Sequence, residues 1–181
     1  MRPSAWLSVL LAMSASVVAS AVFAQANRSN PLIGMVLVRG ACGPELMRYG
    51  QAIADPSCKA LINTVYRNGR TGFYFTAEGS MLTFSGIEPQ INQGTDDILQ
   101  PVDLILVTQM TADEPGQPEL LPASGRCSFS NPFRGIPTSV QCEAETARGR
   151  FAATFHHDGS EPSLLLEDGS ESTPSPDSAD P

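Results

Sequence analysis

The stretch LINTVYRNGRTGFYFTAEGSMLTF (Leu61–Phe84) decides the fold, because apolar and polar residues alternate through most of it and two glycine turns interrupt it. Alternation with period two is the mark of a half-buried strand, since successive side chains point to opposite faces. Asn68-Gly69 and Glu78-Gly79 then read as two-residue hairpin loops, where glycine accepts the positive φ that a tight turn imposes. With that loop length the first turn sets Ile62 opposite Phe75 and Thr64 opposite Phe73. The second sets Phe75 opposite Leu82 and Phe73 opposite Phe84. Both turns put Phe73, Phe75, Leu82 and Phe84 on one face, which predicts a three-stranded antiparallel meander.

The same logic extends to both sides. GRCSFSNP, TSVQCEAET and GRFAATFHH alternate as strands. Placing Cys127 opposite Cys142 sets Phe129 opposite Val140, and a tight turn near Arg148-Gly149 sets Cys142 opposite Phe155 and Ala144 opposite Ala153. The inward set is then Cys127, Phe129, Val140, Cys142, Ala144, Phe151, Ala153 and Phe155. VDLILVTQ (Val102–Gln109) is more fully apolar and reads as a central strand, PLIGMVLVRG as an opening strand and SLLLE as a closing one. PELMRYGQAIADPSC reads as a short helix from Glu45 to Ala54, stopped before Pro56. KALINTVY is open to a second reading, as the continuation of a helix. Seven or eight strands without α/β alternation define a mainly β fold: an antiparallel meander forming a small sandwich or barrel, with one short N-terminal helix, stapled by two disulfides.

The ends of the chain differ from its middle. Arg2, an apolar run from Ala5 to Val22 and small residues up to Ala24-Gln25-Ala26 fit a secretory signal peptide over residues 1–26. From Glu167 to Pro181 the chain carries five acidic residues, three prolines and no basic or aromatic residue, which reads as a disordered acidic tail. That leaves 27–166 as a single disulfide-braced domain in a periplasmic or extracellular protein. The chain has a net charge of −8, and loss of Arg2 with the leader makes it −9. No cluster of Lys or Arg forms a basic stripe, which argues against nucleic acid and against anionic membranes as partners.

Four cysteines remain after the leader, and an even number in an exported chain reads as disulfides. Pairing sequence neighbours, Cys42 with Cys58 and Cys127 with Cys142, closes two loops of about fifteen residues, each contributing on the order of 3 kcal/mol. There is no C-x-x-C, and the spacings suit neither zinc nor a redox pair.

The two histidines, His156 and His157, are adjacent and precede Asp158. If Phe151, Ala153 and Phe155 face inward, His157 does too and His156 faces out. Neighbours on a strand therefore cannot grip one ion together, and the pair reads as a strand end. His157 and Asp158 stand as the remaining metal candidates there, since an inward His157 at the sheet's edge can join acidic loop residues. Separately, the polar loop Glu88–Pro101 carries Asp96-Asp97, with Asp103 just beyond. Crowded oxygens of this kind suit Ca²⁺, although the EF-hand pattern is absent and a solvated loop is the plainer reading. No G-x-S-x-G, phosphate-cradling or dinucleotide motif occurs, so no catalytic residue and no cofactor are assigned. The loop NPFRGIPT (Asn131–Thr138) displays Phe133, Arg134 and Ile136 where a plain turn would show polar residues, so it reads as a binding loop or as a segment folded back onto the core. Three functions stay open. The first is a non-catalytic domain binding an unknown protein or a small envelope ligand. The second is a metal-dependent or hydrolytic enzyme using His157 with loop carboxylates. The third is a hollow barrel carrying an apolar ligand.

Overall fold

The computed structural model of the chain describes residues 30–44, 46–53, 58–77, 79–87, 89–91, 97–110, 116–166 and 171–172. The expected leader lies outside the described residues, as does the expected tail apart from Glu171–Ser172. Those two residues form a short strand.

Eight long strands make one antiparallel sheet that closes on itself. In chain order they begin with β1 (Leu32–Cys42), then, after two short strands, β4 (Ala60–Tyr66), β5 (Arg70–Ala77) and β6 (Ser80–Ile87). β8 (Asp97–Gln109), β9 (Glu119–Ser130), β10 (Ser139–Thr146) and β11 (Gly149–His157) complete the set. From β4 to β11 each pairs with the next long strand, and β1 pairs with both β4 and β11. The result is an eight-stranded barrel. Closure removes the two free edges that an open sheet would expose. Short strands decorate it: β2 (Met47–Arg48) and β3 (Gln51–Ala52) form a ribbon against β11, and β7 (Gln90–Ile91) pairs with β8. β12 (Ser163–Leu166) runs along β1 and carries β13 (Glu171–Ser172) on its far side.

The expected meander is present. Phe73 faces Phe84 and Phe75 faces Leu82, and all four are buried. The first turn differs from expectation. Tyr66 and Arg70 flank a three-residue loop, Gly69 adopts φ 80°, and its N–H donates to the Tyr66 carbonyl at 2.9 Å. A three-residue hairpin of this kind absorbs one extra residue at the glycine. Every partner in β4 slips by one, so Asn63 faces Phe73, and Leu61 rather than Ile62 points inward.

In the second half Cys127 faces Cys142 and Phe129 faces Val140, as the alternation implies. The following turn falls one residue earlier than expected: Thr146 faces Gly149, which sets Cys142 opposite Ala153 and Ala144 opposite Phe151. A slip of two keeps the same faces, and every residue of the predicted inward set lies in the core or packs against it. Both disulfides pair sequence neighbours, Cys42 with Cys58 and Cys127 with Cys142, and no described cysteine is free.

The helix expected over Glu45–Ala54 is not found over described residues 46–53, which form the β2–β3 ribbon instead; Glu45 and Ala54 lie outside the described residues. The turn is Tyr49-Gly50, at φ 53° and 77°. The ribbon buries Leu46 and stacks the Tyr49 ring edge-on against Phe151, 5.0 Å between centroids. Tyr49 Oη donates to Glu119, Arg148 pairs with the same carboxylate, and the Arg148 guanidinium sits 4.6 Å from the Tyr49 ring centre. The ribbon thus covers one end of the barrel, and aromatic burial against a distant strand outweighs the local helical pattern.

Candidate functional site

Phe75, Phe84, Phe151 and Phe155 are fully buried inside the barrel, Phe84 opposite Phe73 and Phe155 opposite Val140. Beside them the smaller side chains of Val36, Val38, Ile98 and Val140 fill less of the interior. They leave a cavity of about 310 Å³, bounded also by Leu61, Asn63, Phe73, Phe129 and His157. Phe73 and Phe129 meet edge to face, 4.9 Å between centroids. Gln100 lies one inward step along β8 from Ile98 and is fully buried beside the Cys127–Cys142 bridge, and its amide finds no partner among the described residues.

The mouth is roofed by the loop Asn131–Thr138. Asn131 Oδ1 accepts from the Phe133 N–H at 2.9 Å and caps the short 3-10 turn Pro132–Arg134, which Gly135 ends in the left-handed region at φ 67°. The far end of the loop is tied down where His157 N–H donates to the Thr138 carbonyl at 2.9 Å. Phe133, though 39% exposed, lines the cavity. Arg134 and Ile136 lie on the outer side of the same loop and line a shallower cleft of about 510 Å³, with Pro137, Ser139 and His156. The three residues singled out from the sequence therefore share one loop but face two different spaces.

His157 is inward and only 3% exposed, and His156 is exposed on the outer face, as the strand alternation requires. A carbonyl can only accept, so the 2.9 Å contact between His157 Nε2 and the Ser160 carbonyl places a hydrogen on Nε2. Nδ1 has no partner among the described residues. Asp158 does not join this site. Its carboxylate accepts from the Ser160 N–H at 2.9 Å, and these bonds to Ser160 hold its pKa below the usual carboxylate range. Among the described residues no three of His, Cys, Asp and Glu come together as a metal-binding group.

The other acidic candidates are also engaged. Asp97 accepts from Ser130 Oγ at 2.9 Å, and Asp103 takes a two-pronged hydrogen bond from Arg70, at 2.7 and 2.9 Å, which lowers its pKa. Asp96 lies outside the described residues. Sequence reasoning missed the cavity wall itself. Val36, Val38, Leu61, Asn63 and Ile98 carry no functional signature, and only the register of β1, β4 and β8 brings them together. No protein-family model, curated protein or solved structure matches this chain.

Proposed function

We propose that this protein is a non-catalytic binding domain that holds a small, largely apolar molecule inside one end of its barrel. The observation that carries this reading is the 310 Å³ cavity under the Asn131–Thr138 loop, walled mainly by Val, Ile, Leu and Phe. Ligand sites of small barrels lie in their mouths and combine apolar walls with a few polar groups. Asn63, Thr138 and His157 supply such groups here.

The working place of the protein is read as the periplasm or the extracellular space. Two disulfides suit an oxidising compartment. Among the described residues no helix is long and apolar enough to cross a membrane. The outer face of β9 to β11 carries the ion pairs Arg126–Glu143 and Arg150–Glu143, unlike the apolar band of a lipid-facing barrel.

Decan-1-ol added to the protein should bind one to one by calorimetry, and filling the cavity through Val38→Phe should weaken that binding at least about tenfold while the protein still melts cooperatively. Undiminished binding to a folded Val38→Phe protein would place the ligand elsewhere.

A further inference from the structure

The cavity wall is mainly apolar, and most of the polar side chains set into it are already engaged. Asn63 Nδ2 donates to the Gly72 carbonyl at 3.2 Å, Ser130 Oγ donates to Asp97 at 2.9 Å, and Asn131 Oδ1 accepts from the Phe133 N–H at 2.9 Å. His157 differs. It borders the cavity, is only 3% exposed, and keeps Nδ1 without a partner among the described residues. The other ring nitrogen fixes what Nδ1 can do. Nε2 carries the hydrogen that goes to the Ser160 carbonyl, so Nδ1 presents a lone pair and can only accept. The two nitrogens of an imidazole point in nearly opposite directions, and Ser160 is not among the residues around the cavity. With Nε2 turned to Ser160, Nδ1 faces the other way. A buried acceptor left without a hydrogen bond is costly, and a donor brought in by a ligand removes that cost.

From this arrangement, and resting on the binding function proposed above, we infer that the ligand is a neutral hydroxyl compound, an alcohol or a phenol, whose O–H donates to His157 Nδ1 while its apolar part fills the cavity. None of the described residues lining the cavity is an Asp, Glu, Lys or Arg, so nothing in its wall compensates a charged group. A carboxylate has no hydrogen to give, and its charge would meet the Nδ1 lone pair. A hydroxyl supplies the missing hydrogen and stays neutral. Its oxygen can accept in turn from the Thr138 hydroxyl, which belongs to the same wall. The cavity sets an upper size: at ~30 Å³ per methylene, about the liquid-volume share of a water, it holds roughly ten carbons.

The test compares decan-1-ol with its isomer methyl nonyl ether, which has the same atoms but no hydrogen to donate, by calorimetry on the full-length protein. Decan-1-ol should bind roughly three- to tenfold more tightly, the worth of one hydrogen bond. His157→Phe keeps an aromatic ring without the acceptor and should bring the alcohol down to the affinity of the ether. A second measurement needs no change at His157. His156→Gln, on the exposed face, leaves a single histidine, and in ¹⁵N-labelled protein its Nδ1 resonance should move when decan-1-ol is added and stay in place with the ether. Equal affinities with an unmoved Nδ1 resonance would overturn the hydroxyl ligand while leaving the apolar site standing. A preference for the alcohol that survives in folded His157→Phe would overturn the assignment to His157. Failure of both compounds to bind would remove the binding function and this inference together.

Discussion

At Gly40 the first strand changes partners: residues before it run beside β12, and Gly40 to Cys42 pair with β11. A Cβ built there would stand 1.9 Å from the His156 carbonyl oxygen, which is backbone and cannot swing away. Gly40→Ala must therefore push β1 off β11 at the seam of the barrel. We expect a loss of about 1–3 kcal/mol, the usual cost of overpacking, read from the midpoint of urea unfolding. The outer wall holds a second residue with a measurable signature. The Tyr74 ring leans over Gly72, and its hydroxyl accepts from Thr64 Oγ1 at 3.4 Å and contacts the Tyr66 hydroxyl at 3.3 Å. Burial, chiefly, pushes its pKa up to about 12. Between the ordinary tyrosine value of about 10 and that raised value, the folded protein keeps a proton that the unfolded chain releases. Stability is fully present below pH 10 and declines as pH rises through about 12. Tyr74→Phe should flatten that decline when urea midpoints are compared on either side of pH 10. An unchanged slope would assign the alkaline loss to other groups.

Between residue and molecule the turns decide most of what could be read in advance. Glu78-Gly79 and Asn68-Gly69 look alike in the sequence, yet Ala77 pairs with Ser80 on either side of the first, whereas the second, joined by Arg67, makes three residues between Tyr66 and Arg70. A run such as Arg-Asn-Gly satisfies both geometries, and the choice depends on which face of β4 the closed barrel needs to bury. The aromatic face of the meander was legible because Phe73, Phe75, Leu82 and Phe84 are inward in either register of β4. The cavity was not, because Leu61 and Asn63 reach its wall only in the three-residue register. The Glu45–Ala54 segment misled for a related reason: Leu46, Tyr49 and Ile53 are apolar at helix-like spacing, but the residues that dock the ribbon, Ala152 opposite Met47 and Phe151 and Glu119 against Tyr49, lie far along the chain. The roof loop was legible as a display of Phe133, Arg134 and Ile136, since its ends are strands and its tip is not polar. Its first turn is held by Asn131, whose side chain accepts from the Phe133 N–H. Asn131→Ala should cost about 0.5–1 kcal/mol of stability, the worth of such a cap, and should speed ligand dissociation more than it alters the melting temperature. Stopped-flow release of bound decan-1-ol separates the two effects, and an unaltered release rate would mean that the loop does not gate the cavity.

For the molecule as a whole, the two disulfides occupy different positions in a barrel whose first long strand closes against its last. Cys127 and Cys142 join neighbouring strands with both sulfur-bearing side chains in the core, at 0% and 3% exposure. Cys42 is only partly buried at the end of β1, and its bridge to Cys58 anchors the segment that carries the ribbon. Thiol–disulfide exchange needs a thiolate to reach a sulfur, so access sets the order of reduction. Under mild reductant in native buffer the Cys42–Cys58 bridge should open first. Cys127–Cys142 should survive until the barrel unfolds, because the strands around it separate only with global opening. Alkylation followed by peptide mass mapping reads the order directly. Loss of the first bridge releases a loop of about fifteen residues and should lower stability by on the order of 3 kcal/mol, while the strand pairing that closes the barrel stays intact. If the two bridges instead open together at a rate matching unfolding, the ribbon and the β1 seam are as stable as the core. The barrel and its covered end would then form one cooperative unit.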